Sequence, residues 1–420
     1  MAELEALSGV GLKRVDSPGR WAGSPMDFRL EPESPEALSQ VMKTLSAHSE
    51  PVLVTGGATQ LDQLNPVKDT RILLSSAGLS GVEECDEADG VMKARAGTPI
   101  EELARVADEA GWALPLEARS PGSTLGGVLA TAYSGPRRLG LGAVRDNVLG
   151  IDTALVSGER TRCGARVVKN VTGYDMAKLY IGSFGTLAMI EGAWLRLHPK
   201  VESVTTVGLS LDAGEGAFRF AVEAARRSST RAVVLLPESL AAQVSALGPA
   251  PRTGAPWRLV VECAGDETVT RYDNEWLTGQ ATAQALSSEV IGTLEGLHRP
   301  PFPQGFRFRL HLLSSGLGRA CELLSAAGFE VMAYPEPTCV YAFYNPESPD
   351  AGPVLPDPFS AVEDVASRVE ANWVIESMPD LNQEMRDRFR TTEALPLMRT
   401  LKTQFDPDSL LNRGCLLGGV

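Results

Sequence analysis

Two clusters of glycine in one continuous stretch limit what this chain can fold into. The stretch runs from Arg119 to Pro199, and its clusters lie between short apolar runs typical of strands. They read Pro121-Gly122-Ser123-Thr124-Leu125-Gly126-Gly127 and Gly182-Ser183-Phe184-Gly185-Thr186-Leu187. Glycine has no Cβ and accepts positive φ, so such clusters can bring backbone N–H groups close to a ligand. Two clusters in one segment predict a large, extended ligand.

A third glycine cluster, Thr55–Gln60, follows the short apolar run Pro51–Val54. A single glycine-rich loop is usually only a turn, and three ordinary turns remain an alternative interpretation. A diphosphate, however, needs several convergent N–H donors and a closely approaching backbone. We therefore expect loops 55–60 and 121–127 to enclose such a group from two sides. Hydroxyl groups for its oxygens are available from Thr124, Thr131 and Ser134.

Two other nucleotide sites are not indicated. The sequence has no GxxxxGK[ST] motif, so it does not predict a P-loop. The nearest approach to GxGxxG is Gly140–Arg145, which ends in arginine and has no helical pattern behind it. A nicotinamide site of the Rossmann type is therefore not expected.

Composition excludes several classes of function. The formal net charge of −14 argues against nucleic-acid binding, which needs a dense basic surface. No apolar run approaches the roughly 18–20 residues that would span a membrane. The first residues, MAELEALSGVGLKR, lack the apolar core of a secretory signal. We expect a cytoplasmic protein, with any attachment to an inner membrane made peripherally through partner subunits.

Cysteine and histidine are scattered along the chain. The two nearest cysteines, Cys321 and Cys339, are 18 positions apart, and no HxxH or HExxH spacing occurs. Iron–sulfur and zinc sites usually need closely spaced ligands. The sequence therefore predicts reduced cysteines and no metal site.

Apolar periodicity predicts an α+β fold. Ser34 and Pro35 are typical of a helix start, as are Thr98 and Pro99 with Glu101 completing a capping box. After Pro199, two rounds of strand–helix–strand–strand indicate a ferredoxin-like α+β domain. The predicted organisation is an amino-terminal lead (1–25), a first domain (26–200), a second domain (201–394), and a terminal helix and tail packing on the first domain (395–420).

The order of the motifs resembles one known family. PGSTLGG, GPRR, RDNVLG, RVVKNVTGYDMAKLYIGSFGTLAMIEGAWLRLHP and the closing FDPDSLLNRG occur in sequence. They resemble the PCMH-type FAD-binding domain of the vanillyl-alcohol oxidase family, whose fold pairs two α/β subdomains with a cap domain. Within the family the pattern is most similar to the FAD-binding subunits of glycolate oxidase. The resemblance covers residues 26–200 and 395–414 and scarcely touches 200–395.

The resemblance implies a set of FAD-binding positions in this chain. They belong to the first loop, the second loop, an Arg-Asp step, a GYD run and the segment that passes the flavin. In this sequence they are Thr55, Gly56, Gly57, Ala58, Thr59, Pro121, Gly122, Ser123, Thr124, Gly126, Gly127, Thr131, Arg145, Asp146, Asn170, Tyr174, Gly185, Thr186 and Ile190. A packed turn is the alternative interpretation of the run Lys169–Asp175.

Departures from the family pattern refine the expectation. The first loop lacks the histidine of covalent members, so FAD should be bound non-covalently. The histidine-rich HxGDGN-like motif of D-2-hydroxyacid paralogues is missing, and the terminal NPGR reads Asn412-Arg413-Gly414-Cys415. The catalytic base is therefore unassigned. Arg307 and Arg309 could meet a substrate carboxylate, although arginines on a strand surface are the simpler interpretation.

The expected function is that of an FAD-binding subunit of a glycolate or 2-hydroxyacid dehydrogenase (oxidase) complex. Glycolate or D-lactate would be oxidised by hydride transfer to flavin N5 while a base takes the hydroxyl proton. By resemblance the partners are a paralogous flavin subunit and an iron–sulfur subunit, and the acceptor is not NAD. A stand-alone FAD-dependent hydroxyacid or alcohol dehydrogenase is one alternative. A non-catalytic assembly subunit that retains FAD is another.

Overall fold

The computed structural model describes the chain in two compact units. The described residues are 2–5, 7–15, 20–21, 24–166, 175–212, 214–244, 247, 256–283, 288–291, 294, 297, 305–346, 355, 357–378, 392–416 and 420. The first unit comprises those within Met1–Ser134, Gly142–Lys200 and Glu384–Val420. The second comprises those within Gly135–Leu141 and Val201–Gln383.

Helices and strands alternate irregularly along the first half of the chain. In order they are α1 (Ala2–Glu5), β1 (Val10–Arg14), β2 (Arg20–Trp21), β3 (Ser24–Pro25), β4 (Phe28–Pro32), α2 (Pro35–Ala47), β5 (Val52–Thr55), β6 (Ile72–Ser75), β7 (Val82–Asp86), β8 (Val91–Arg95), α3 (Ile100–Glu109), β9 (Trp112–Ala113), α4 (Leu125–Thr131), α5 (Arg138–Leu141), β10 (Val148–Ala154), β11 (Arg160–Gly164), α6 (Ala177–Tyr180), β12 (Met189–Arg196) and β13 (His198–Pro199).

The second half of the chain adds the remaining elements. They are β14 (Ser203–Leu211), α7 (Glu215–Ala225), β15 (Thr230–Pro237), α8 (Glu238–Ala241), β16 (Trp257–Gly265), α9 (Glu267–Ala283), β17 (Ser288–Ile291), β18 (Phe306–His311), α10 (Leu317–Ala326), β19 (Glu330–Tyr334), β20 (Cys339–Tyr344), α11 (Pro358–Arg368), β21 (Asn372–Ser377) and α12 (Leu395–Phe405). Short 3₁₀ turns lie at Leu61–Gln63, Ser76–Gly78, Val144–Asp146 and Ser314–Gly316.

The first unit contains two main sheets. One has the order β1-β4-β6-β5, in which β4 and β5 run parallel to β6. Helix α2 begins as the sequence predicts, since the Ser34 side chain accepts a hydrogen bond from Ala37 N and Pro35 is its first residue. Its apolar face, including Leu38 and Val41, is fully buried, and each such side chain stabilises the fold by roughly 2 kcal/mol.

The other main sheet of the first unit is antiparallel and has the order β11-β10-β12-β8-β7. Helix α3 packs beside it, but the predicted capping box is wrong. The Thr98 hydroxyl instead donates to Arg95 O at 2.7 Å and accepts from Gly81 N at 2.9 Å, and no side chain caps α3. The buried Thr98 hydroxyl lies at the end of β8, where it satisfies two backbone groups, Arg95 O and Gly81 N. These two hydrogen bonds compete with capping of the helix.

The second unit consists of two β-α-β-β-α-β halves joined into one antiparallel sheet. Its strand order is β17-β14-β16-β15-β19-β20-β18-β21. Taken separately, β14–β17 and β18–β21 each have the fourth strand beside the first and the third strand between the first and second. This is a ferredoxin-like arrangement, so the predicted α+β class is confirmed. The halves meet where Leu235 of β15 pairs with Ala333 of β19.

Helices α7, α9, α10 and α11 pack on one face of this sheet, and the short helix α8 packs on the other. The buried cluster of the first face includes Leu259, Phe308, Val340 and Ile375 from the strands and Leu324 from α10. The aromatic rings of Phe308, Phe329, Phe359 and Trp373 meet edge to face within 6 Å. Such offset contacts add to the burial of a large apolar area.

A buried carboxylate anchors the segment Gly135–Leu141 within the second unit. Glu262 of β16 accepts two hydrogen bonds of 2.8 Å from Arg137 and one of 2.6 Å from Arg231. Burial alone would raise the pKa of Glu262, but the hydrogen bonds and charges of the two arginines hold it below its ordinary value. The chain thus leaves the first unit after Ser134, docks by this ion pair, and returns at Gly142.

None of the helices in the described part of the chain is long and apolar enough to cross a membrane.

We predict that Glu262→Ala lowers the free energy of unfolding by about 2 kcal/mol at pH 7, because two partly buried arginines lose their counter-charge. Urea titration followed by circular dichroism measures the loss. The effect should depend on pH, since the carboxylate with the lowered pKa stabilises the fold above its ordinary pKa of 4.5. That contribution disappears as the pH falls through the lowered value.

Glu223→Ala is the matched control, because Glu223 is exposed on α7 of the same unit. Equal losses for the two variants at pH 7 would contradict a structural role of the Arg137–Glu262–Arg231 ion pair.

Candidate cofactor site

The first unit contains a cleft at the carboxyl end of β5. It holds about 660 Å³ of unfilled space, part of it open to solvent. Its walls come from the loop after β5, the first turns of α4, the segment 184–190 and Asn412. Three glycine-containing segments, far apart in the chain, therefore meet at one cleft.

The loop after β5 packs closely against the second glycine loop. A Cβ atom at Gly57 would overlap the carbonyl oxygen of Gly122, and one at Gly56 would overlap the hydroxyl of Thr124. Glycine is required at Gly57 because the two backbones approach too closely for a side chain, and at Gly56 because the Thr124 side chain already fills the space. The close approach leaves the edge of the first loop open to the cleft.

Side chains fix the two loops relative to each other. Arg119, which is 5% exposed, forms a bidentate pair of 2.5 Å bonds with Asp62 and donates to Thr59 O at 3.2 Å. The hydroxyls of Thr59 and Ser123 are 3.0 Å apart. Bidentate arginine–carboxylate pairs hold geometry well, so the loops form one rigid wall.

Asn412 joins the first loop to the third segment of the cleft. Its Oδ1 accepts from Val54 N at 2.6 Å, and its Nδ2 donates to Phe184 O at 2.6 Å. Behind it, buried Lys402 donates to Thr186 O, Leu411 O and the carboxylate of Asp406 at 2.6–2.8 Å. Burial lowers the pKa of Lys402, although Asp406 opposes this effect. The end of the chain is thus built into the cleft wall.

Unusual backbone conformations gather at the cleft. Ala58, Phe184 and Asn412 line it and have positive φ values of 58°, 54° and 46°. Left-handed backbone is costly for residues other than glycine and is often found at ligand sites.

Several polar groups of the wall are buried yet have no hydrogen-bond partner within the described protein. They are Thr55 Oγ1, both side-chain heteroatoms of Gln60, and Ser76 Oγ. Buried polar groups are almost always satisfied in native proteins, so these groups indicate that a bound ligand completes them. Among the described residues that line the cleft, none has an acidic, basic, cysteine or tyrosine side chain. This described part of the wall offers hydrogen bonds and apolar contact rather than groups for proton transfer.

The structure brings ten of the sequence-predicted positions to the cleft. They are Thr55, Gly56, Gly57, Ala58, Thr59, Gly126, Gly127, Thr131, Gly185 and Ile190.

The other predicted positions have different places. Gly122, Ser123 and Thr124 contact the first loop without lining the cleft, and Pro121 is exposed and does not line it either. The Thr186 hydroxyl is bound to Ser183 O at 2.7 Å. Arg145 and Asp146 are exposed in a 3₁₀ turn and are not brought to the cleft. Asn170 and Tyr174 lie outside the described residues.

The FAD-binding positions predicted from the sequence omit eleven residues that line the cleft. They are Val54, Gln60, Leu61, Leu64, Ser76, Ala96, Ala130, Phe184, Ala188, Met189 and Asn412. Gln60 belongs to the predicted first loop and Phe184 to the glycine cluster 182–187, although neither was among the predicted positions. No local pattern marks Ser76 or Asn412, because both reach the cleft only through tertiary contacts.

The two arginines considered for a substrate carboxylate lie in the second unit. Arg307 and Arg309 each place Nε 2.9 Å from the carboxylate of Glu376. The protein itself therefore supplies a carboxylate at this position. Partial desolvation and the charges of Arg309 and Arg138 lower the pKa of neighbouring His311 to about 4, so its ring is neutral at pH 7.

Comparison with known proteins agrees with the geometry of the cleft. Residues 26–164 match the family model described as an FAD binding domain. These residues form an FAD-binding domain. The non-covalent FAD expected from the sequence fits the cleft, because the first loop has no histidine and the wall provides unpaired hydrogen-bonding groups.

Curated relatives match part of this chain. A D-lactate dehydrogenase of Archaeoglobus fulgidus is 31% identical over 47% of this chain and 44% of its own length. D-2-hydroxyglutarate dehydrogenase of Danio rerio is 33% identical over 44% and 35%. Glycolate oxidase subunit GlcE of Escherichia coli is 33% identical over 39% and 46%. The chain spans less than half the length of each of these relatives.

Solved structures extend the likeness to the whole fold. p-Cresol methylhydroxylase has a TM-score of 0.71 with 12% identity, covering 99% of this chain and 95% of its own. The 4-ethylphenol oxidase of Gulosibacter chungangensis has a TM-score of 0.70 with 12% identity, covering 99% and 97%. At this identity the likeness shows the fold alone, and it confirms the predicted α+β fold class.

We predict that Gly57→Ala yields protein with little or no bound FAD. The new methyl group overlaps Gly122 O, so the two loops must separate. An overpacked contact costs about 1–3 kcal/mol, equivalent to roughly 10- to 100-fold in affinity. The ratio of flavin absorbance to protein absorbance after purification measures this loss. Gly11→Ala is the control, since a Cβ there has ordinary contacts only. Normal flavin content in Gly57→Ala would show that the cleft does not hold the cofactor.

We also predict that Asn412→Ala weakens FAD binding and lowers apoprotein stability by about 2 kcal/mol, because Val54 N and Phe184 O lose buried partners. Urea unfolding and fluorescence titration with FAD measure the two effects. Arg413→Ala is the adjacent control, because its side chain donates to the carbonyls of Ser409 and Asp408. Unchanged FAD affinity in Asn412→Ala would contradict a role of this residue in shaping the cleft.

Proposed function

We propose that this protein is an FAD-dependent oxidoreductase that acts on the CH–OH group of a small 2-hydroxyacid, such as glycolate or D-lactate. The observation that carries the proposal is the cleft of the FAD-binding domain, with its close glycine loops and buried, unpaired Thr55, Gln60 and Ser76. When bound there, FAD supplies a two-electron acceptor. The described wall holds and orients the cofactor and contributes no proton-transferring side chain.

The names of the relatives support the substrate class. Those aligned with this chain include a D-lactate dehydrogenase, a D-2-hydroxyglutarate dehydrogenase and two glycolate oxidase subunits, GlcD and GlcE. All of these names refer to a 2-hydroxyacid. The alignments cover less than half of each relative, so the substrate is assigned here as a proposal.

We further propose that the chain works as one subunit of a complex. Two relatives are named as subunits of the same oxidase, which supports assembly with a paralogous flavin subunit. Electrons would pass from the flavin to a partner that carries iron–sulfur clusters, rather than to NAD. Any association with a membrane would be made through such partners.

A second candidate function is an FAD-retaining subunit that relays electrons without binding substrate. Two observations favour it. The described cleft wall has no side chain that could act as a base, and Glu376 already occupies Arg307 and Arg309. In that case substrate oxidation would take place in the paralogous subunit. A stand-alone dehydrogenase is the third possibility and needs a base elsewhere in the chain.

Anaerobic spectroscopy separates these functions. We expect the purified protein to show oxidised flavin bands, and to lose them within a turnover on addition of glycolate or D-lactate if the chain itself is catalytic. Retention of the bands, with bleaching only after partner subunits are added, indicates the relay function. NAD⁺ serves as the control acceptor and should not restore the oxidised bands. A colourless protein that takes up no FAD would contradict all three functions.

A further inference from the structure

Two residues at the cleft, Gln60 and Ser76, carry unpaired side-chain groups whose partners have not yet been assigned. Gln60 is 6% exposed and Ser76 is 4% exposed. The carboxamide oxygen and nitrogen of Gln60 both lack a hydrogen-bond partner within the described protein, and so does the hydroxyl of Ser76. Both residues line the cleft. The apoprotein therefore buries three polar atoms that form no hydrogen bond, and this lowers its stability.

The free-energy cost of burying these unpaired atoms suggests that they bind a ligand. A buried donor or acceptor without a partner loses its hydration and gains nothing in return, whereas an apolar group of the same shape would be neutral or stabilising. The neighbouring Ser75 shows the ordinary arrangement. It is fully buried, and its hydroxyl accepts from Arg29 Nη2 and Ala77 N at 3.2 Å each. Ser76, one position later, is left for a ligand.

The chemistry of Gln60 narrows which part of the ligand it meets. A carboxamide presents a donor and an acceptor side by side, and here both are unpaired. A phosphate oxygen only accepts, so it could satisfy the nitrogen of Gln60 and would leave its oxygen unpaired. A ring edge with adjacent donor and acceptor satisfies both atoms at once, as glutamine does with adenine. The isoalloxazine ring has an edge of the same kind.

We propose that Gln60 and Ser76 bind the cofactor directly, with the Gln60 carboxamide paired to the donor–acceptor edge of one of the two FAD rings. The proposal rests on the proposed function only in requiring FAD as the ligand, and it needs no substrate. Thr55, whose hydroxyl is also unpaired, completes a set of three side chains that the apoprotein keeps unsatisfied. FAD binding would thus recover hydrogen bonds that folding leaves unmade.

The test compares FAD affinity with the thermal stability of the apoprotein. If the residues were only structural, a substitution would lower both. Gln60→Leu and Ser76→Ala remove the unpaired atoms while keeping most of the volume. We expect FAD to bind about 10-fold more weakly to Gln60→Leu and several-fold more weakly to Ser76→Ala. We expect the thermal midpoint of each apoprotein to stay equal to the parent or to rise. FAD titration by flavin fluorescence and thermal unfolding of the FAD-free protein measure these effects.

Two matched controls accompany the variants. Gln63→Leu changes a half-buried glutamine in the same 3₁₀ turn that does not line the cleft. Ser75→Ala removes a hydroxyl with two protein partners. We expect Ser75→Ala to lower the apoprotein midpoint and Gln63→Leu to have little effect, with FAD affinity nearly unchanged in both.

Two further measurements distinguish the rings. If Gln60 meets the isoalloxazine ring, Gln60→Leu shifts the visible absorption bands of bound FAD and leaves the affinity for ADP unchanged. If it meets adenine, ADP binds more weakly by the same factor as FAD and the visible bands stay in place. Either result supports the proposal.

Three results would overturn the proposal. They are unchanged FAD affinity in both variants, a lowered apoprotein midpoint like that of Ser75→Ala, or weaker FAD binding with neither ring signature. The first two would mean that internal water or a protein group satisfies these atoms. Failure of glycolate to bleach the flavin would concern the proposed function alone, since none of these measurements uses a substrate.

Discussion

The cleft depends on a buried ion pair near the end of the chain. Lys402 and Asp406 are almost fully buried, and between them they bind Thr186 O, Leu411 O and the N–H groups of Leu410 and Leu411. These bonds set the position of Asn412, which joins β5 to the segment 184–190 across 358 and 228 residues of sequence. A buried pair of this kind is costly unless every group is satisfied, and here each charge meets several partners. The pair thus fixes the geometry that the glycine loops need.

The two units use buried charge in different ways. In the first, Lys402–Asp406 and Arg119–Asp62 hold backbone segments together around a cleft whose described lining residues are uncharged. In the second, Glu262 and Glu376 each bind two arginines on strands of the eight-stranded sheet or on the docked segment Gly135–Leu141. These four arginines are thereby paired with carboxylates of the protein itself. This arrangement is what brings the relay function into consideration beside direct oxidation of a hydroxyacid.

Local sequence rules worked where neighbours in the chain decide the structure. Ser34 and Pro35 start α2 because the cap and the first turn lie within four residues of each other. The strand–helix–strand–strand order, which occurs twice after Pro199, likewise predicted the ferredoxin-like second unit. The same rule failed at Thr98, whose hydroxyl found better partners in Gly81 and Arg95 than in the helix that follows. These hydrogen bonds, one of them with Gly81 just before β7, outweigh a helix-capping preference of about 1 kcal/mol.

The sequence by itself determined the fold class, the FAD-binding domain and the loops expected to approach the cofactor, because close backbone approach demands glycine at specific positions. Only the tertiary structure decided which side chains face the cleft. Gln60, Ser76 and Asn412 carry no distinctive spacing, and the exposed Arg145 and Asp146 matched a motif without reaching the cleft. Whether a buried polar atom finds a partner depends on segments hundreds of residues away. That property exists only in the folded chain, and it is the one that distinguishes a ligand-binding atom from a packed one.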